Sequence, residues 1–496
     1  MRSPRPEEVT AVNKLRKTLW ETLFDNKVVI LFVLLCVGGI IASGQPITFV
    51  ANELFTRVAR NSFLVLSLII PVLAGMGLNF GIVIGAMAAQ VAIFFTTHWG
   101  LVGISGFLVT VLMATPLAAL FGYLVGKLFN KMKGSEMIGG LVLGYFADGI
   151  YQLFFLFVFG GVIPINNPKL MIATGIGVKN TIDLKDTVKY ALDTVPMLTI
   201  VEIGFYVIVA ATLISAIIRA KTGKGKAFPR NSLITLGAAA LAYGLSFIPA
   251  IEGFLSQDRL LLLSALELGC LGVVLWQAAL FVISMVSKRT FHLKRALLLC
   301  AGAAAAYGIT FIPAVYTILN YVRLPVMTYL CIAALCLFNT ALMKTRLGQN
   351  MRTVGQGRAV ANAAGINVDR TRIVAMIFST VLASWGQLIF LQNVGTFSTY
   401  GAHTQVGQFA IASILVGGAS VQRATNGQAI LGTILFHTLF IVAPIAGKEL
   451  FGNAMIGEYF RVFVSYGVIA MALAMHAWKK VQKPALVNPA TGRAAQ

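Results

Sequence analysis

Apolar runs of about twenty residues recur from residue 28 to residue 478, each long enough for a helix to cross roughly 30 Å of hydrocarbon. None shows the strand-length alternation of a membrane barrel. Backbone groups in lipid need partners within their own segment, so the pattern predicts an all-α polytopic membrane protein with about 14 transmembrane helices. In the first half the spans read as 28–44, 62–78, 81–97, 101–128 and 137–160. Pro71, Gly75, Gly77, Asn79, Gly81 and Gly85 crowd the boundary between the second and third. That composition fits a helix broken beside a pathway, or a tight hairpin whose small residues let helices pack closely.

Two polar stretches flank this half. Residues 1–27 carry Val9, Val12, Leu15, Leu19 and Leu23 at three- and four-residue intervals with Lys14, Arg16 and Lys17 between them, the pattern of an amphipathic helix at the membrane surface. Residues 161–196, with Asp183, Lys185, Asp186 and Lys189, read as a docking surface or a solvated loop.

The middle of the chain repeats itself. Leu241-Ala-Tyr-Gly-Leu-Ser-Phe-Ile-Pro-Ala250 returns as Ala305-Ala-Tyr-Gly-Ile-Thr-Phe-Ile-Pro-Ala314, 64 residues later, and Val201-Glu-Ile-Gly204 returns as Leu266-Glu-Leu-Gly269. The unit is a helical hairpin copied in tandem, 199–220 with 232–255 and then 261–286 with 296–319. Because each copy crosses twice, inserting both leaves the downstream topology unchanged.

Composition agrees with a lipid solvent: 58% of residues are hydrophobic and 11% charged, and the mean hydropathy is +0.84. The formal charge of +22 would suit nucleic acid if it lay on one soluble face, but the basic residues sit in alternate connections between spans. The positive-inside rule puts those connections and both termini on the cytoplasmic side of the membrane, with 479–496 as a cytoplasmic tail. Cys36, Cys270, Cys300, Cys331 and Cys336 lie inside apolar runs and read as packing residues. No short apolar segment with a small-residue cleavage site opens the chain, so a removable signal peptide is not expected.

Candidate chemistry is sparse. No G-x-x-x-x-G-K-[ST] occurs, so ATP and Mg would be held by a partner subunit and this chain is expected to bind no cofactor and to catalyse no reaction. His98, His292, His403, His437 and His476 lack metal-ligand spacing, and no metal site is expected. Polar residues inside spans are costly and point to function or to interhelical hydrogen bonds. Asp148 leads, with Tyr151 and Gln152 on its helical face. Asn79, Phe80, Gln90, Gln387 and Asn393 join it as candidates for a translocation pathway, with Gln392 beside the last. Glu202 and Glu267 occupy equivalent repeat positions near helix starts, where carboxylates suit the helix dipole.

From Pro325 onward the sequence resembles the permease family of bacterial ATP-binding-cassette importers for simple sugars, nucleosides and branched-chain amino acids. Three segments in order carry the likeness: Thr345-Arg-Leu-Gly-Gln-Asn-Met-Arg-Thr-Val-Gly355, then Ala364-Gly-Ile-Asn-Val-Asp-Arg370, then Ala410-Ile-Ala-Ser-Ile-Leu-Val-Gly-Gly-Ala-Ser420 followed by Gly427 and Gly432. The resemblance implies a ten-helix core, 28–198 with 320–478, interrupted by the duplicated insertion at 199–319. It further implies a coupling loop within 344–372 that docks into an ATPase, its expected contact residues being Arg346, Gly348, Arg352, Gly355, Arg358, Gly365, Asp369 and Arg370. Partners implied are the ATPase subunits, a second permease copy or a homologous one, and an extracytoplasmic solute-binding protein, with membrane lipid around the bundle and no nucleic acid. The solute implied is a monosaccharide or nucleoside. Sugar permeases of the family tend to carry an acidic residue followed by Leu-Ser where this chain has Asn79-Phe80-Gly81. Outside the family, an ion-coupled secondary transporter and a non-transporting membrane assembly component are the other readings the spans allow.

Overall fold

The computed structural model describes residues 27–132, 134–173, 176–222, 230–287, 293–463, 466–467 and 470. The amphipathic pattern at 1–27 and the tail at 479–496 lie outside them, apart from Lys27. The described residues fall into two compact units, one within Met1–Lys189 and Ile332–Gln496 and the other Tyr190–Cys331.

In the first unit the helices are α1 Lys27–Ser43, α2 Ile47–Ser67, α3 Ile69–Leu73, α4 Ile82–His98, α5 Gly103–Lys131 and α6 Glu136–Leu153. A π-helical segment, Phe154–Val162, continues α6, and β1 covers Thr181–Asp183. In the second unit follow α7 Met197–Thr222, α8 Arg230–Leu245, α9 Pro249–Leu255, β2 Arg259–Leu261, α10 Leu262–Ser287, α11 Leu293–Ile309, α12 Pro313–Tyr321 and β3 Arg323–Pro325. Helix α13, Val326–Leu342, returns the chain to the first unit, which closes with α14 Arg346–Gln356, α15 Arg358–Ala363, α16 Val368–Val394, β4 Thr396–Ser398, α17 Ala402–Val416 and α18 Asn426–Phe451. Among the described residues seven helices are long and apolar enough to cross a membrane, or nine if two bent pairs each count as one span. The shorter apolar helices Val28–Ser43, Ile82–His98 and Ser232–Leu245 lie outside that count, so the expected fourteen is not reached by length and composition. The second span also begins earlier than its apolar run predicts, at Ile47 instead of residue 62. Glu53 and Arg57, both partly exposed, pair at 3.9 Å within it, and Arg57 lies 5.8 Å from the Phe440 ring centroid, so contacts with each other and with an aromatic ring accommodate charges that hydropathy alone rejects.

Glycines set the spacing of the core. A Cβ at Gly122 or Gly126 of α5 would lie 2.8 or 2.9 Å from the backbone of α16, at Ile377 and Ile373, and one at Gly386 of α16 would lie 2.9 Å from Leu64 of α2. Lipid gives helices little hydrophobic drive to associate, so this close approach supplies the dispersion contact instead. Gly386 opposite Leu64 and Ser379 bonded to Ser67 make α16 antiparallel to α2, while Asn79 bonded to Ser379 and then Gly85 opposite Thr380 and Ala383 run in the same order along it, which makes it parallel to α4. The chain therefore reverses across 74–81. That turn is irregular and buried: Ala74, Met76, Leu78 and Asn79 are at most 1% exposed, and Gly75 and Gly77 take the left-handed φ of +72° that favours glycine. Of the two alternatives, hairpin and broken helix, the structure combines both features, a reversal of direction made through non-helical backbone inside protein.

The polar stretch 163–196 is not a plain solvated loop. Its β1 pairs antiparallel with β4, Ile182 opposite Phe397, and Leu170, Val178, Leu184 and Val188 are fully buried. Gly103 N–H donates to Thr187 O at 2.9 Å and Leu184 N–H to Gly395 O at 3.0 Å. These bonds gather the ends of α5 and α16 under one cap. On its exposed face Lys169 bonds Asp186 at 2.8 Å, which holds the Asp186 carboxyl below its ordinary range.

In the second unit the repeat motif proves to be a helix stop. Just after α8 the Ser246 hydroxyl donates to Tyr243 O at 2.6 Å, and just after α11 Thr310 donates to Tyr307 O at 2.6 Å. Pro249 and Pro313 then open the next helices at the first-turn position where a missing N–H costs nothing. The second copy bends by 91° there. Asp193 and Thr328, both buried, join at 2.5 Å near the unit's two ends.

If glycine spacing holds the core, Gly126→Val and Gly386→Val each destabilise the solubilised protein by about 1–3 kcal/mol through overpacking. Gly149→Val, which meets open space, leaves the thermal unfolding midpoint unchanged. Detergent melting followed by size-exclusion fluorescence measures both.

Candidate functional site

Two clusters at different depths of the first unit carry its unusual chemistry. The first is the basic loop. After α13 the chain turns by 75° into α14. Thr345 caps the new helix, its hydroxyl oxygen accepting the Gly348 N–H at 3.2 Å. A Cβ on Gly348 would lie 2.1 Å from Leu342 O, so the turn demands glycine at that position. Gly348, Met351 and Val354 face inward, whereas Arg346, Gln349, Arg352 and Gln356 are exposed. Helix α14 thus lies on the protein by one stripe and presents a basic face outward. Gly355 packs directly on the buried turn, where a Cβ on Gly75 would meet its Cα at 2.7 Å.

Next, Val354, Ala361 and Val368 form a small apolar core under α14, α15 and the start of α16. Gly365 takes φ +74° between them, and Asn367 caps α16 by accepting the Arg370 N–H at 2.9 Å. Arg370 and Asp369 are exposed, while Arg358 turns inward to Glu136, the first residue of α6. Arg372, fully buried, donates to the same Glu136 oxygen at 2.5 Å. The other Glu136 oxygen accepts Gly134 N–H at 2.9 Å, and Asn130 donates to Asp369 O at 2.9 Å. The turn between α5 and α6 is therefore tied to both ends of the α15–α16 connection. Sequence reasoning missed Glu136 and Arg372. The available signal was a lone carboxylate opening a span and an arginine one turn inside another, each a costly placement without a partner.

The second cluster lies within the spans. Asp148 of α6 stands 2.7 Å from His403 Nε2 of α17, and Gln152 donates to its other oxygen at 3.0 Å. Tyr151 stacks on Phe155 at 4.3 Å and leans on the His403 ring at 4.8 Å. His403 is fully buried, and its Nδ1 has no partner among the described residues. Tyr400, one turn before His403, donates its hydroxyl to Val178 O in the cap at 2.8 Å. The expected Asp148, Tyr151 and Gln152 thus come together, with His403 as the member that spacing alone did not reveal. Its signal is spatial, since 255 residues separate it from Asp148.

The remaining pathway candidates are distributed along the core. Asn79 donates to Ser379 Oγ at 3.2 Å, which in turn donates to Ser67 O at 3.1 Å. Phe80 and Gly81 pack on α6 at Gly140, where a Cβ would lie 3.2 Å from Gly81 N. Gln90 on α4 and Gln387 on α16 are wholly buried, and among the described residues neither amide has a hydrogen-bond partner. Asn393 ends α16 next to the cap, buried like Gln392. Among the described residues no three His, Cys, Asp or Glu side chains converge as metal ligands. A polar molecule entering the core would thus meet amides and hydroxyls, with one carboxylate–imidazole pair between α6 and α17.

Comparison with known proteins bears on what this arrangement serves. Over 172 residues the chain is 24% identical to the xylose transport system permease protein XylH of Haemophilus influenzae, covering 34% of this chain and 43% of that one. Over 154 residues it is 29% identical to the nucleoside ABC transporter permease protein NupC of Lactococcus lactis, covering 31% and 46%. A probable ABC transporter permease protein, y4mJ of Sinorhizobium fredii, matches at 31% identity over 112 residues, 22% of this chain and 33% of the relative. The chain thus spans between a third and a half of the length of these relatives. No solved structure matches it. The model of the family described as the permease component of branched-chain amino acid transport systems matches residues 187–473, more than half of the sequence, and the chain belongs to that family.

Proposed function

We propose that the chain is the membrane-spanning permease subunit of an ATP-binding-cassette importer, and that it passes a small polar, largely uncharged solute such as a monosaccharide or nucleoside. One observation carries this reading within the permease family: the basic helix α14 lies against the buried turn 74–81 through the Gly355–Gly75 contact. A force on the exposed face of Arg346 and Arg352 reaches that turn through backbone, without a flexible side chain between. The turn in turn holds Asn79 and packs on α6, the helix that carries Asp148. Glu136 offers a parallel link, because Arg358 and Arg372 pull on the first residue of the same helix.

In this scheme the loop at 344–372 is cytoplasmic and docks on an ATPase subunit that holds ATP and Mg, a second permease copy completes the pathway, and a binding protein delivers solute at the opposite face. The cap formed by 163–189 and β4 supplies an ordered surface there. Sugars and nucleosides are supported by the character of the buried polar groups, amides and hydroxyls in place of fixed charges, and by the names of the xylose and nucleoside relatives. A specific observation favours a second reading, ion-coupled secondary transport: Asp148 and His403 form a pair able to exchange a proton inside the membrane.

Affinity purification from native membranes recovers an ATPase with the wild-type chain and loses it when 346–370 is replaced by a neutral linker. Recovery of the chain alone, with no ATPase activity, overturns the importer reading. Glu136→Ala leaves Arg372 buried and uncompensated, and destabilises the protein by about 3 kcal/mol or more; Glu136→Gln keeps the fold better but lowers transport per ATP hydrolysed. Asp148→Asn removes a charge-assisted hydrogen bond worth about 1.5–3 kcal/mol and reduces uptake by at least an order of magnitude. ATP-driven uptake by the wild type persists when ion gradients are collapsed, whereas loss of uptake under that condition selects the second reading.

A further inference from the structure

Helices α4, α5 and α6 with the π-helical segment form a cavity of about 630 Å³ whose lining residues, Tyr151 apart, take no part in the proposed solute route. Its back wall is buried, with Met87 4% and Phe155 1% exposed, while its rim is open, with Leu124 53% and Phe146 66% exposed. The opening lies between α5 and α6, the two spans of the first unit with most of their surface outside the protein core. Every lining side chain is apolar except Tyr151, whose buried hydroxyl has no hydrogen-bond partner among the described residues. A sugar or nucleoside would leave its hydroxyls unpaired against these walls, and an apolar cavity of this kind does not hold water.

The bilayer itself supplies the matching chemistry. Leu117, Phe121, Leu124 and Leu128 line the cavity at three- and four-residue intervals along α5. From Leu117 to Leu128 the helix rises roughly 17 Å, close to the depth of one leaflet in a core of roughly 30 Å. The same stripe reaches exposed Lys131 one turn further, with exposed Lys127 beside it, where a lipid phosphate would sit. We propose that this cavity binds one acyl chain of an anionic membrane phospholipid, its headgroup held at Lys127 and Lys131 and its chain running inward to Phe155. Tyr151 belongs both to this wall and to the Asp148–His403 cluster, so the bound lipid buttresses the polar site from behind.

The test uses the full chain in nanodiscs containing phosphatidylglycerol with a photoactivatable group on the acyl chain, and locates adducts by mass spectrometry. Adducts on Met87 and Phe155, which surrounding lipid does not touch, are expected, and Ala147→Trp, which fills the cavity, lowers them about tenfold, the ratio that 1.4 kcal/mol of lost binding gives. Lys127→Ala with Lys131→Ala, which leaves the core intact, reduces labelling by phosphatidylglycerol toward that by phosphatidylcholine. Labelling confined to the outward residues Leu112 and Leu120, equal labelling by both lipids in the wild type, or chain-to-chain adducts at Phe146 showing a second copy over the opening would each overturn the proposal. The readout needs no ATPase and no solute, so it fails or succeeds independently of the importer reading.

Discussion

Peptide groups that leave helical geometry at membrane depth have no water to turn to, and each must find a partner within the protein. Residues 74–81 impose that requirement on the whole first unit. Their own short-range bonds satisfy part of it, Met76 N–H to Pro71 O at 3.1 Å and Ile82 N–H to Asn79 O at 3.2 Å. Enclosure then keeps lipid away from the segment. Helix α14 closes on Gly75, Met137 and Val421 on Gly77, Ser379 on Asn79, and α6 on Gly81. Each closing element is held close by a glycine or a small side chain, so the small residues scattered over the sequence converge on one place.

The same enclosure couples distant parts of the chain. Helix α6 touches the turn near its start, receives two arginines on Glu136, and carries Asp148 and Tyr151 about three turns further on. Buried ion pairs are weak sources of stability, since desolvation offsets much of their attraction. Their value here is positional. Two guanidinium groups sharing one carboxylate oxygen restrict where α6 can start relative to α16, and removing the carboxylate would leave Arg372 buried without its counter-charge. The interior amides of Gln90 and Gln387 are a different case: wholly buried and unpartnered, they disfavour the empty core and favour a guest that offers hydrogen bonds.

The tandem hairpins of the second unit follow a separate logic. A repeated Tyr-Gly-(Leu/Ile)-(Ser/Thr)-Phe-Ile-Pro motif stops one helix by a hydroxyl-to-carbonyl bond and starts the next with proline, and it does so identically in both copies. Local chemistry is sufficient for that device, which is why it survives duplication. In the first unit Ser43 closes α1 in a similar way, donating to Ile40 O at 2.8 Å before Pro46, but the buried turn 74–81 is shaped by what packs against it.

That contrast also marks what could be read in advance. Most spans, the helical class, the tandem repeat, the place of the basic loop and the Asp148–Tyr151–Gln152 face were legible because hydropathy, charge placement and helical spacing act over a few residues. Helix α2 began fifteen residues before its apolar run predicts, since Glu53 and Arg57, each only partly exposed, pair with each other and Arg57 also meets Phe440, which no local window contains. The stretch 161–196 read as a docking surface or a solvated loop, and the cap formed by 163–189 stayed hidden because its partner strand lies more than two hundred residues away. Glu136 and Arg372 showed in sequence only as costly lone charges and His403 as an isolated histidine, and only packing made them a shared ion pair and a carboxylate–imidazole pair. The sequence by itself therefore determined the solvent, the all-helical polytopic class and the family, all of which follow from composition and local pattern. The tertiary structure alone decided which charges meet, where the backbone may be irregular and which cavity is dry, because each depends on side chains brought together across hundreds of residues.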